Sequence, residues 1–263
     1  MTEGHAVNFN VLGPLAVQAD GIAVNPGSAR QRAVLSTLLL TPGQPVTAEQ
    51  LSEAVWPRNP PSDVMANLHS YVSNLRRILE PNRPPRGRDT VLRRESNGYV
   101  LAVNADCIDA TLFERLLHDG RRLLRAGLHQ KAGRALGSAL ALWRGTAYPE
   151  VSDYALGAQA AARFEELRLL ALESLWEAKL SEARDFSVAA AELPALTLRF
   201  PTRERFSWLL MKALYWSGRR ADAIDAYHRT RRTLAEEYGV DPGAELQELF
   251  GSILRGDPIA GCA

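Results

Sequence analysis

Between Asp63 and Leu79 the chain reads DVMANLHSYVSNLRRIL, and this run restricts the fold more than any other. Val64, Leu68, Val72, Leu75 and Leu79 recur at steps of four, four, three and four. That spacing places all five on one stripe of a helix with about 3.6 residues per turn. Such a stripe must lie against a core. The opposite face carries Asp63, Ala66, Asn67, Ser70, Ser73, Asn74 and Arg77, with Arg76 on a flank. Short side chains let a helix backbone approach DNA closely, and Asn, Ser and Arg can read donors and acceptors in a major groove roughly 12 Å wide. A solvated helix face is the plain alternative. Solvated faces usually carry Glu and Lys pairs at i,i+4 spacing, and this one has none.

Composition narrows the class. A chain of 263 residues has two domains as its natural prior. Hydrophobic residues at 46% and charged residues at 23% are those of a well-packed globular protein. No basic region followed by an apolar run opens the chain, and no apolar stretch is long enough to span a membrane. The expectation is a cytoplasmic protein without a membrane partner. Cys107 and Cys262 are too few and too far apart for a metal cluster, and His5, His69, His118, His129 and His228 have no metal-ligand spacing. The net charge of +1 is unevenly spread. Arg76, Arg77, Arg83, Arg86, Arg88, Arg93 and Arg94 face only Glu80 and Asp89 within one stretch, a basic footprint of the kind nucleic acids attract.

In chain order, Val7 to Val24 reads as a small antiparallel sheet: Val7, Phe9 and Val11 alternate, Gly13-Pro14 breaks the run, Leu15 and Val17 resume it, and Asp20-Gly21 marks a second turn. Ser28 can cap a helix through Leu40. Thr47 with Gln50 makes a capping box before a short helix that Pro57, Pro60 and Pro61 stop. After the groove-facing helix, Pro81 to Arg88 reads as a Pro/Arg linker. TVLRRESNGYVLAV then gives two strands around Asn97-Gly98. A hairpin directly after a groove-reading helix is a wing, and Arg93 and Arg94 put guanidinium groups where they can reach phosphate or minor groove.

With sheet, three helices and basic hairpin in place, the run LSEAVWP…NLHSYVSNLRRILEP…VLRRESNGYVL resembles the winged-helix output domain of OmpR-type response regulators over roughly residues 7 to 103. From Asp106 onward the character changes to helix after helix. Ala132-x3-Leu136, Ala189-x3-Leu193 and Ala223-x3-Tyr227 each follow a turn, at Gly127, Arg184-Asp185 and Gly218, and the second and third alanines stand 34 residues apart. That is the tetratricopeptide period, with a small residue where paired helices approach. The first gap is longer, so a lengthened helix, Leu156 to Leu180, interrupts the array. Glu245 to Leu254 reads as the last helix, with Asp241 able to cap it. The stretch SGRRADAIDAYHRTRRTLAEEYGVDPGAELQEL resembles the tail of the bacterial transcriptional activation domain, which follows an OmpR-type winged helix in the Streptomyces antibiotic regulatory protein family.

The fold expected is therefore mainly α. An N-terminal winged helix-turn-helix with a small antiparallel sheet (residues 1–105, a two-component-like output domain) precedes an all-α, tetratricopeptide-like helical-repeat domain (106–263). A fragment ending near Asp106 is expected to fold alone. The resemblance implies a sequence-specific activator of a secondary-metabolite, or antibiotic, biosynthesis gene cluster. It implies binding to direct repeats in double-stranded DNA as a homodimer on DNA, and recruitment of RNA polymerase holoenzyme. It also implies the short form of the family, since no Walker sequence, GxGxxG or sensor module is left over. The DNA-binding candidates are Asn67, Ser70, Ser73, Asn74, Arg76, Arg77, Arg93 and Arg94. Arg77 is the foremost base reader, because Arg can contact guanine through two hydrogen bonds. In the resembled winged helices the loop corresponding to Pro57–Ser62 meets polymerase, which nominates Arg58, Asn59, Pro60 and Ser62; a plain connector is the alternative. Trp56, Trp143 and Tyr227 are core by default. No HExxH, GxSxG, paired-Cys or phosphate-loop motif is present, so neither an enzyme nor a cofactor is expected. Two alternatives keep the fold and change the role: a helical-repeat adaptor whose winged helix binds protein, and a repressor.

Overall fold

In the computed structural model, residues 7–81, 91–95, 97–182 and 185–259 are described. The Pro81–Arg88 linker, with Arg83, Arg86 and Arg88, lies outside them apart from Pro81, as does Arg184. Two compact units are present: residues 1–117 with 138–169, and residues 118–137 with 170–263.

The first unit begins with strands β1 (Val7–Asn10), β2 (Ala16–Ala19) and β3 (Ile22–Val24), an antiparallel meander in that order. Asp20 and Gly21 both have positive φ in its second turn, as an Asp-Gly hairpin requires. Helix α1 (Ala29–Leu40) starts at a complete capping box between Ser28 and Gln31, and α2 (Ala48–Val55) at one between Thr47 and Gln50. Helix α3 (Val64–Leu79) is capped by Asp63, whose carboxylate accepts from the Ala66 N–H. The apolar stripe is seated as its spacing requires: Leu68, Val72, Leu75 and Leu79 are buried against α1 and α2.

A second sheet has the order β4 (Pro45–Thr47), β6 (Gly98–Leu101), β5 (Leu92–Glu95). Two details differ from the sequence reading. Strand β4 is only three residues long and opens on Pro, so nothing local announces it; it exists because β6 pairs with it. The hairpin is also displaced by one position: Glu95 pairs with Gly98, so Gly98 is a strand residue and the turn is not centred on Asn97-Gly98. The glycine serves another purpose, because a Cβ at 98 would overlap the Val46 carbonyl oxygen of β4.

The all-helical segment runs through α4 (Asp109–Arg125), α5 (His129–Ala141), α6 (Ala155–Glu182), α7 (Ser187–Arg199), α8 (Glu204–Trp216), α9 (Arg220–Thr233) and α10 (Ala244–Arg255). The lengthened helix expected over 156–180 is α6. Ala132 with Leu136, Ala189 with Leu193 and Ala223 with Tyr227 are all buried, on α5, α7 and α9. Tyr227 stacks on Phe250, with ring centroids 3.8 Å apart. Asp241 does not cap α10. The N-cap is Gly243, whose N–H donates to the Glu204 carboxylate at 2.8 Å, while Asp241 pairs with Arg231 at 3.5 Å.

Within the first unit, residues 109–113 and 143–164 reach back to the first sheet. The Asp109 carboxylate accepts from the N–H groups of Val11 at 2.7 Å and Leu12 at 3.2 Å. The Leu12 and Val11 carbonyls accept from the N–H groups of Arg144 at 2.7 Å and Tyr148 at 2.9 Å. Glu150 accepts from the Leu15 N–H at 2.7 Å. Gly13, with φ +144°, lies against the Arg144 backbone where no Cβ would fit. Phe113, Trp143, Tyr148 and Phe164 pack as an aromatic cluster beside this clasp, with centroid separations from 5.4 to 6.3 Å. Burial raises the Asp109 pKa, against the lowering effect of the Val11 and Leu12 N–H groups and of Arg144.

An unpaired buried N–H costs about 1–3 kcal/mol. Asp109→Ala orphans two, so urea denaturation should show a loss of about 2–6 kcal/mol. On the same argument a 1–169 fragment should unfold cooperatively, whereas a fragment ending near Asp106, lacking the whole clasp, should have a lower midpoint. Equal midpoints would show that the sheet does not need the clasp.

Candidate nucleic-acid interface

Because α3 is anchored by its buried stripe, the side chains left in solvent are determined by the helix period. Ala66, His69, Ser70, Ser73 and Arg77 are exposed, and Asn67 and Asn74 are half-buried. Ser70 and Ser73 make no side-chain hydrogen bond among the described residues. Asn67 donates through Nδ2 to the Asp63 carbonyl at 2.7 Å, so part of its polar capacity closes the first turn. Asn74 accepts from the Arg77 guanidinium at 2.6 Å, one turn apart. That contact restricts the Arg77 side chain before any ligand arrives, which lowers the entropy lost on binding.

Arg76 is placed differently. Its Nε donates to the Leu92 carbonyl at 2.9 Å, which ties the end of α3 to the start of β5. Glu80, the C-cap residue of α3, accepts from the Val91 N–H at 2.8 Å and makes a second tie. Tyr99 of β6 is buried, with His69 of α3 edge-on to its ring at 6.4 Å. Burial raises the Tyr99 pKa while the positive charges of Arg94 and Arg76 pull it down. These contacts join the hairpin to α3 as one piece.

On that piece Arg93 pairs opposite Val100 and Arg94 opposite Tyr99, and both arginines are exposed. Arg77, Arg93 and Arg94 therefore present guanidinium groups from two elements whose relative position is set by Arg76, Glu80 and Tyr99. Glu80 and Tyr99 were not singled out from sequence. Tyr99 could have been found, since it is the only aromatic in the hairpin and directly follows the glycine; the Glu80 contact spans a segment with no local pattern. Arg58, Asn59, Pro60 and Ser62, between α2 and α3, are all exposed. The loop leaves from Trp56, which is buried, lies 6.0 Å from the Tyr71 ring of α3 and carries Arg30 of α1 over its face at 5.9 Å.

Comparison with known proteins adds to this geometry. The model of the bacterial transcriptional activator domain matches residues 108–254, and that of the C-terminal domain of transcriptional regulatory proteins matches residues 25–101. The regulatory protein DnrI of Streptomyces peucetius is 36% identical over 256 residues, covering 96% of this chain and 93% of DnrI. The transcriptional regulator RedD of Streptomyces coelicolor is 34% identical over 256 residues, covering 97% of this chain and 73% of RedD. The regulatory protein AfsR of Streptomyces griseus is 40% identical over 253 residues, but the 96% of this chain that aligns spans only 25% of AfsR. The chain likewise spans 64% of the transcriptional regulatory protein EmbR of Mycobacterium tuberculosis. The structure of Mycobacterium tuberculosis EmbR in complex with a low affinity phosphopeptide superposes with a TM-score of 0.89 at 36% identity, covering 98% of this chain and 67% of that one. No described helix is long and apolar enough to cross a membrane. A winged helix with a basic hairpin, joined to the activator domain that fills the rest of the chain, places this protein in the Streptomyces antibiotic regulatory protein family of DNA-binding transcriptional regulators.

Proposed function

We propose that the chain activates transcription of a secondary-metabolite gene cluster by binding direct repeats at promoters and recruiting RNA polymerase, without a catalytic step of its own. The observation that carries this reading is the pair of hydrogen bonds that ties α3 to the hairpin, so that a polar helix face and two wing arginines are presented together. Preorganised elements read DNA without paying an ordering cost at each site. In this reading Ser70, Ser73, Asn74 and Arg77 face base edges, with Asn67 at the helix entry. Arg93 and Arg94 contact phosphate or minor groove, and Arg76 acts chiefly by holding the wing in place. The exposed loop residues Arg58, Asn59, Pro60 and Ser62 are the surface offered to polymerase.

The two kinds of arginine separate experimentally. Arg77→Ala should cost about 1–3 kcal/mol and relax preference at one base position, while Arg93→Ala should weaken all sequences alike and reduce the salt slope by about one. Affinities measured across a salt series on single-base operator variants distinguish the two. If both variants lose only salt-dependent affinity, sequence is not read by α3.

Two protomers on a direct repeat must read the same face of the duplex, so their sites stand one helical turn apart, about 34–36 Å. A head-to-tail contact closes naturally when the DNA supplies two sites. Inserting about half a turn of base pairs should abolish cooperative binding, and a full turn should partly restore it. Cooperativity that survives the half-turn insertion, or binding improved by inverting one repeat, would favour a symmetric pair instead.

A further inference from the structure

We infer that two copies of the chain pair off DNA through α7, antiparallel and related by a two-fold axis. The inward side of that helix is accounted for, since Ala189, Ala190 and Leu193 are buried and α7 packs on α8. Its outward side is apolar as well. Val188, Ala191, Ala195 and Leu198 recur at steps of three, four and three, the spacing of a seam that receives a second helix. All four are exposed. Val188 is 58% and Leu198 81% accessible, the latter more than any other large apolar residue among those described. A single exposed leucine needs no explanation, but apolar positions kept in register along one helix mark a contact surface.

The charges beside the seam identify what covers it. Glu192 and Arg199 stand on the same edge of the stripe, seven residues and so two turns apart, and both are exposed. Arg199 rests over the Phe200 ring at 5.1 Å, and among the described residues neither Arg199 nor Glu192 forms an ion pair. A helix that carries opposite signs two turns apart on one edge is complementary to itself run backwards. When the two-fold axis passes between residues 195 and 196, Glu192 of each copy stands opposite the partner's Arg199, so both ion pairs form at once. The same register puts the two Ala195 side chains beside the axis, where small residues let the helices approach, and sets each Leu198 over the partner's Ala191 and the partner's Ala195, which leave room for it. In a parallel pair the edge positions facing Glu192 and Arg199 are the partner's Ser187 and the partner's Pro194, and neither is charged.

Every contact is made twice, as a closed pair requires. One helix of 13 residues makes a contact below the roughly 1,200 Å² of a stable interface, so the pair forms at micromolar and not at nanomolar protein. Neighbours on a direct repeat are related by a translation and turn their α7 faces the same way, so this contact is not the head-to-tail one. It belongs to the free protein, and the inference does not rest on DNA binding.

Sedimentation equilibrium of the full chain without DNA tests it, with thermal melting to confirm that each variant is folded. Wild type should pass from monomer to dimer over the micromolar range, and Leu198→Ser should remain monomeric. Glu192→Arg and Arg199→Glu each set like charges against each other and should weaken pairing about tenfold, the effect of two exposed ion pairs turned repulsive. Mixed in equal amounts, these two variants carry matching charges again and should recover the wild-type affinity as a heterodimer, which a folding defect would not allow. Wild type that stays monomeric, a dimer indifferent to Leu198→Ser, or charge variants that do not complement each other would overturn the inference.

Discussion

The contact on which the rest of the structure depends is the one between the Asp109 carboxylate and the backbone of Val11 and Leu12. The β1–β2 connection leaves a short run of backbone N–H and C=O groups without strand partners, and buried backbone groups of this kind must be satisfied somewhere. They are satisfied from about a hundred residues downstream, by Asp109, Arg144 and Tyr148, with Glu150 adding Leu15. Glu150 also accepts from Ser36 of α1 at 3.4 Å, and the Tyr148 hydroxyl donates to the Leu39 carbonyl at the end of the same helix, also at 3.4 Å. Helix α1 in turn packs on α3. A chain of direct contacts therefore runs from the activator-domain sequence, through the first sheet and α1, to α3. The first compact unit combines residues 1–117 with 138–169 because of these contacts.

Much of the winged-helix half was legible because its determinants are local. The period of Val64 to Leu79 is a property of sixteen consecutive residues, and the structure buries four of the five residues of the implied stripe, with Val64 at the first turn only half-buried. The Ser28–Gln31 and Thr47–Gln50 capping boxes each need only three residues of separation, and both form. The lengthened α6 was visible as a gap between repeats. The exposed candidates Ser70, Ser73, Arg77, Arg93 and Arg94 follow from the same periods.

What could not be read depends on partners distant in sequence. Strand β4 has no signal of its own and borrows its pairing from β6. Gly98 looked like a turn glycine, but its constraint is the Val46 carbonyl about fifty residues earlier. Arg76 looked like a reader on the flank of α3, and its position against Leu92 depends on where the hairpin returns. Asp241 had the right residue type to cap α10, yet Glu204 from α8 supplies the acceptor and leaves Asp241 to Arg231. In each case a local rule was correct about chemistry and silent about which partner would arrive first.

The claim that the winged helix and the clasp form one cooperative body is tested most directly by native-state hydrogen exchange. Amide protons of Val11, Leu12 and Leu15 are held by side chains of Asp109 and Glu150, whereas those of Val34 to Leu39 lie inside α1. If the clasp and the winged helix open together, both groups should exchange with the same free energy of opening, equal to that of the whole unit. Rapid exchange at Val11, Leu12 and Leu15 while α1 stays protected would contradict the account, because the sheet would then open without disturbing the helices it is said to hold.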